Sequence, residues 1–160
     1  MQVKYSYLDQ QFADVEAYFQ DLRNLVATGE FTLGPFVEAF ENKFAAYIGV
    51  KHAIGTNTGT GALILCLKSV GVYPGSEVIT VANTFIASAG AIVAAGARPV
   101  FTEISPDTLA MDFDDAWSRV TERTRGAIVV HFGGLISTGF PAFVQRMRAT
   151  GRFVIEDASH

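Results

Sequence analysis

The sequence predicts an α/β layered domain with a mostly parallel sheet, and two observations carry that expectation. From residue 51 onward, short apolar runs alternate with helical segments: "KHAIGT", "SEVITVA", "ARPVFTEI", "RGAIVVHF" and "RFVIEDA" are separated by amphipathic stretches near residues 59–70, 84–95, 112–120 and 139–150. Glycines punctuate the rhythm, with Gly71, Gly96 and Gly151 closing three of the helical stretches. Parallel neighbours need a crossover connection, and a helix is the usual one.

Taken in order, the elements justify themselves locally. Phe12, Val15, Phe19, Leu22 and Val26 recur at helical spacing, which predicts one amphipathic helix over "QFADVEAYFQDLRNLVATGE" with its C-cap at Gly29. A second helix starts at Pro35, where proline suits the first turn, and ends at Gly49. These place an N-terminal helical segment at residues 1–50 ahead of the layered part at 51–160. Within the latter, Asp112 in "MDFDD" reads as a helix N-cap. Phe153, Val154 and Ile155 read as a strand buried on both faces and broken by Glu156 and Asp157.

Composition narrows the function classes. A chain of 160 residues with 49% hydrophobic content and mean hydropathy +0.27 can bury a real core. The net charge of −4, with 12 Lys plus Arg and no basic cluster, offers no electrostatic footprint for nucleic acid. The N-terminus has no apolar leader region, and the most apolar stretch, "FIASAGAIVAAGARPVF", is interrupted before it could span a bilayer. A soluble, cytoplasmic protein is expected. One cysteine, Cys66, allows neither a disulfide framework nor a zinc cluster, no metal site is expected, and Cys66 reads as a small core residue.

In parallel sheets, ligands collect beyond the carboxyl ends of the strands. By that rule Thr58, Gly59, Thr60, Thr84, Phe85, His131, Asp157 and His160 share one edge. "TNTGTGAL" opens a helix, so Gly59 and Thr60 can offer backbone N–H groups to an anion, or the glycines can simply make a tight turn. Two phosphate fingerprints fail here: no lysine follows the glycines, and Ile64 stands where G-x-G-x-x-G needs its third glycine. Phe85 reads either as core or as a platform for a flat ring. His131 reads as lining a pocket or as bonding a neighbouring loop, whereas His52 begins its run and Ser159, adjacent in sequence to Asp157 and His160, makes no triad by adjacency. Asp157 is the sharpest signal, because a carboxylate at the tip of a buried strand is costly without a cation or several donors. An anion cradle, a stacking aromatic and a buried acid are the three needs of pyridoxal 5'-phosphate (PLP), whose ring nitrogen is commonly paired with an Asp.

The run from "FTLGPFVEAFENKFAAYIGVKHAIGTNTGTGAL" through "ANTFIASAGAIVAAGARPVF", followed by "TLAMD", "VVHFGG" and "VIEDASH", closely resembles the DegT/DnrJ family of PLP-dependent sugar aminotransferases. The resemblance implies the three-layer α/β/α large domain of PLP fold type I, here incomplete at its C-terminus. It implies cofactor contacts from Thr58, Gly59 and Thr60 to the phosphate, Phe85 on the pyridine ring, Asp157 at the ring nitrogen and His160 near the ring hydroxyl. It further implies a homodimer that moves an amino group from glutamate or glutamine to a keto sugar, usually nucleotide-linked. Two departures stand out: "LISTGF" replaces a Pro-Ala-Asp-like stretch, and the Schiff-base lysine of the family has no counterpart. The four lysines, Lys4, Lys43, Lys51 and Lys68, all precede the site motifs of the second half, so the catalytic lysine is expected beyond His160 and the chain as written is expected to be inactive. Two other readings are a sugar dehydratase of the same superfamily, with histidine in place of that lysine, and a non-catalytic α/β binding module.

Overall fold

The computed structural model describes residues 6–160, which fall into two compact units that meet in sequence at Gly55 and Thr56.

The first unit is helical. A single turn, α1 (Leu8–Gln11), precedes α2 (Val15–Thr28) and α3 (Pro35–Ile48). The sequence predicts a helix that starts at Gln11, but α1 ends there and Asp14 starts α2 by accepting the Ala17 N–H at 3.4 Å. Gly29 and Gly49 end α2 and α3 in the left-handed conformation, as their positions after the last apolar repeat predict. The apolar stripes of these helices are open: Phe19, Leu22, Phe40, Phe44 and Tyr47 are all exposed.

The second unit is α/β. After α4 (Gly59–Ser69) come β1 (Glu77–Val81), α5 (Ala87–Ala94), β2 (Arg98–Thr102), α6 (Phe113–Ser118), β3 (Thr124–Val130), α7 (Phe140–Ala149) and β4 (Phe153–Asp157). The four strands are all parallel, in the order β2-β1-β3-β4. The crossover from β1 to β2 runs one way along the sheet, and those from β2 to β3 and β3 to β4 run the other. Right-handed crossovers therefore put α5 on one face and α6 with α7 on the opposite face. The packing agrees: α4 lies on α5, while Phe113 of α6 stacks on Phe143 of α7 at 4.9 Å between ring centres. Leu63, Leu67, Ile79, Ile92, Ile128 and Met147 are among the core residues between these layers. Asp112 caps α6 as expected, accepting from the Asp114 and Asp115 N–H groups, each at 3.0 Å.

Three expectations are corrected. "KHAIGT" forms no strand, because among the described residues no neighbouring strand pairs with it, and the Gly55 N–H instead donates to the Glu41 carboxylate at 2.6 Å. The β4 strand is half-buried rather than hidden on both faces, since β3 is its one described neighbour. Cys66 is exposed: α4 buries the stripe through Leu63 and Leu67, and Cys66 lies beside exposed Leu65, off that stripe.

At the amino end of the sheet, Glu77 is 1% exposed and holds three segments together. Its Oε1 accepts from the guanidinium groups of Arg98 and Arg123, and its Oε2 from the Thr121 hydroxyl at 2.7 Å. The Thr121 hydroxyl first, then the two guanidinium groups, hold the carboxyl down at about 2 against the opposing effect of burial.

Candidate functional site

Because the chain direction along the sheet reverses between β1 and β3, a crevice opens at their carboxyl ends, where open α/β sheets bind ligands. A cavity of about 590 Å³ lies there, within the usual range for small-molecule sites. Thr58, Gly59, Thr60, Thr84, Phe85, His131, Asp157 and His160 all line it, joined by Leu63, Ala87, Val130, Phe132 and Ser159. Every residue placed at this edge from the sequence thus meets at one cavity.

The N-terminus of α4 forms one wall. Thr58 is its N-cap, accepting the Gly61 N–H on Oγ1 at 3.0 Å, and the first helical bond runs from the Ala62 N–H to the Thr58 carbonyl at 3.0 Å. The Gly59 and Thr60 amides precede that bond and have no helical acceptor, so they carry the positive end of the helix at the cavity. A Cβ on Gly61 would sit 2.8 Å from Asn57 Oδ1 and 3.2 Å from Thr58 Oγ1, so the Asn57 side chain would have to move aside and the cap would have to give slightly.

Phe85 follows β1 and is 75% exposed, so its ring is a free apolar face at the cavity and not a core residue. Behind it Thr84 Oγ1 and Ser88 Oγ share a hydrogen bond at 3.1 Å, which ties the loop to α5.

Asp157 closes β4 opposite Val130 of β3, so the two side chains leave the sheet on one face, and both line the cavity. Its Oδ1 accepts from the Ser159 N–H at 3.3 Å and the Ser159 hydroxyl at 2.5 Å. Its Oδ2 has no hydrogen-bond partner among the described residues. The imidazole of His131 is turned from the position expected of a pocket residue. His131 borders the cavity but is 6% exposed, and its Nε2 lies 3.0 Å from Glu156 Oε2 while its ring meets Phe140 edge-on at 5.0 Å. Strand alternation explains this, since His131 and Glu156 each follow or precede by one residue the pair that faces the cavity.

His160 is fixed through its backbone neighbours. Its Nδ1 accepts the Gly133 N–H at 3.2 Å, which places the proton of the neutral ring on Nε2 and makes that atom a donor. The turn over Phe132–Gly134 reaches this position because Gly133 adopts a φ of 61°, in the left-handed region. Phe132 meets the His160 ring edge-on at 6.3 Å.

The donor set fits a phosphorylated pyridine: free amides at a helix N-terminus, an exposed aromatic ring, a carboxylate with one open oxygen and an imidazole N–H donor converge on one cavity. Among the described residues no group of His, Cys, Asp and Glu could hold a metal ion, and no helix is long and apolar enough to cross a membrane.

Comparison with known proteins places this geometry. The chain is 42% identical over 141 residues to the spore coat polysaccharide biosynthesis protein SpsC of Bacillus subtilis, covering 88% of this chain and 36% of that protein. It is 36% identical over 160 residues to the dTDP-3-amino-3,4,6-trideoxy-alpha-D-glucose transaminase of Streptomyces venezuelae, covering 92% of this chain and 41% of that one. The crystal structure of ntda from Bacillus subtilis with bound cofactor PMP superposes with a TM-score of 0.89 at 33% identity, over 98% of this chain and 36% of that chain. A DegT DnrJ EryC1 StrS aminotransferase from Brucella abortus gives a TM-score of 0.89 at 31% identity, over 98% of this chain and 44% of that one. The chain therefore spans about two fifths of the length of these relatives. With residues 13–160 matched by the family's own profile, the chain belongs to the DegT/DnrJ/EryC1/StrS aminotransferase family.

Proposed function

We propose that this protein is a PLP-dependent aminotransferase that transfers an amino group from glutamate or glutamine to a keto sugar, nucleotide-linked, in sugar or natural-product biosynthesis. The single observation that carries this reading is the convergence of the α4 N-terminus, the Phe85 ring and the Asp157 carboxylate on one cavity. Relatives named as a dTDP-aminosugar transaminase and as GDP-perosamine synthase support the sugar as acceptor.

Each residue then has a task. The Gly59 and Thr60 amides hold the phosphate, and Thr58 keeps them in place by capping the helix. Phe85 covers one face of the pyridine ring and excludes water from it. Asp157 keeps the ring nitrogen protonated, and the His160 Nε2–H donates toward the ring hydroxyl. When bound, the cofactor supplies an electron-withdrawing protonated ring. The direct test is to incubate an enzyme that includes the Schiff-base lysine with PLP, glutamate or glutamine and a nucleotide-linked keto sugar, and to follow the aminated sugar by mass spectrometry. Absence of amination for every donor and keto sugar tried, with PLP bound, would count against this function.

A narrower test concerns Phe85. Because its ring is exposed and supports no core, Phe85→Ala should leave the melting temperature unchanged while weakening pyridoxamine 5'-phosphate binding about fivefold to tenfold, as expected for a lost aromatic stacking contact. Unchanged affinity by isothermal titration would remove Phe85 from the site.

We further propose that the protein acts in the cytoplasm as a homodimer. The exposed apolar stripes of α2 and α3, including Phe19, Leu22, Phe40 and Tyr47, support association. Light scattering coupled to size exclusion should give the mass of two chains, and a monomer at high concentration would refute it.

A further inference from the structure

We infer that Ser159 is a positioning residue that fixes the plane of the Asp157 carboxylate and so leaves one oxygen, Oδ2, aimed for the cofactor's ring nitrogen; this rests on the function proposed above. A carboxylate rotor is broad and roughly two-fold, so an aspartate at a cavity wall has no preferred plane of its own. Here both donors of one residue converge on one oxygen: the Ser159 N–H at 3.3 Å and the Ser159 hydroxyl at 2.5 Å reach Oδ1. Rotation about the Cβ–Cγ bond would break the hydroxyl bond, and the longer amide contact alone would hold the carboxylate poorly.

Ser159 itself lines the cavity, within the same wall as Asp157 and His160. Its single O–H is committed to Asp157, so it offers only acceptor lone pairs to a ligand. That makes a direct contact with an anionic phosphate unfavourable and leaves the orientation of Asp157 as its task. The peptide following β4 is what brings the hydroxyl back, because the N–H and the hydroxyl of the residue two positions on both close onto the same side chain.

The test compares two ligands on the enzyme, pyridoxamine 5'-phosphate and its analogue in which a C–H replaces the ring nitrogen. Both carry the same phosphate and ring face, so the ratio of their dissociation constants isolates the contact to the ring nitrogen. Wild type should prefer the nitrogen-containing ligand. Ser159→Ala should reduce that preference about fivefold to tenfold while changing affinity for the carbon analogue by less than about twofold, and Ser159→Thr, which keeps the hydroxyl, should restore it. An undiminished preference in Ser159→Ala overturns the inference and leaves the proposed function standing. Equal weakening of both ligands shows a general structural role and also overturns it. A wild type without preference removes Asp157 from the ring nitrogen and the inference with it, and a wild type that binds neither ligand overturns the proposed function itself.

Discussion

Replacing Asp157 with asparagine is expected to lower kcat of the active enzyme by about 10²-fold or more, equivalent to about 3 kcal/mol of transition-state stabilisation. Asparagine preserves the size of the side chain and keeps an acceptor for the Ser159 N–H and hydroxyl, so the turn after β4 is retained. What changes is the free oxygen. In the proposed site Oδ2 is a charged acceptor for a ring N–H, whereas an amide NH₂ in its place is a donor and favours the unprotonated ring. A cofactor held there without that charged acceptor would supply a weaker electron sink. Cofactor affinity should weaken as well, because one charge-assisted contact is lost while the α4 amides remain. If Asp157 served only to organise the loop, asparagine would instead lower the melting temperature and spare turnover of the folded enzyme. Melting temperature and active-site-normalised kcat on one preparation decide the matter, and near-wild-type turnover would end the assignment.

The second large effect is on stability. Glu77→Gln is expected to destabilise the α/β unit by about 2 kcal/mol at neutral pH, a value set below the 3 or so implied by its depressed titration because Arg98 and Arg123 are themselves about two-thirds exposed and screened by solvent. Glutamine keeps an uncharged acceptor for both guanidinium groups at Oε1 but turns the other terminal atom into a donor facing the Thr121 hydroxyl. The pH dependence follows from the direction of the shift. A carboxyl held at about 2 in the folded chain and near 4.5 when unfolded contributes stability that is fully present above 4.5 and is lost as pH falls toward 2. Urea unfolding at pH 7 and at points between 4.5 and 2 should therefore show wild type and variant converging on acidification. A gap that stays constant across that window would mean that the charge of Glu77 contributes nothing.

These two residues lie at opposite ends of the same sheet, and they differ in how plainly the sequence announced them. Asp157 interrupts an apolar run, and a polar residue at a strand tip is visible without a structure. Glu77 stands at the start of "EVITV", where an acid before an apolar run reads as a solvated strand end. Its partners, Thr121 and Arg123, come from a loop more than forty positions away, and only the β1–β3 pairing reveals them. Helix ends were legible at Gly29, Pro35, Gly49 and Asp112, whereas the Asp14 cap of α2 lay hidden inside a continuous apolar repeat. Where a partner decides, they were not: "KHAIGT" has the composition of a strand but no described neighbour, and the burial of β4 depends on how many strands flank it. At the site, strand tips could be grouped by topology, but the face on which a side chain leaves could not. His131 therefore turned out to pair with Glu156, and the bond from Ser159 to Asp157 was hidden behind mere adjacency.

The strand order has a consequence for how the cavity comes into being. Its two central strands, β1 and β3, are not successive in the chain; β2 and two helices intervene, and the Arg123 bond to Glu77 closes a loop spanning 46 positions. Loop closure of this length costs chain entropy before any contact repays it, so the β1–β3 pairing belongs among the slow steps of folding. The cavity draws on residues from Thr58 to His160 and exists only after that pairing. Cofactor added during refolding should therefore bind after the rate-limiting step, raising the final yield while leaving the rate of sheet formation unchanged.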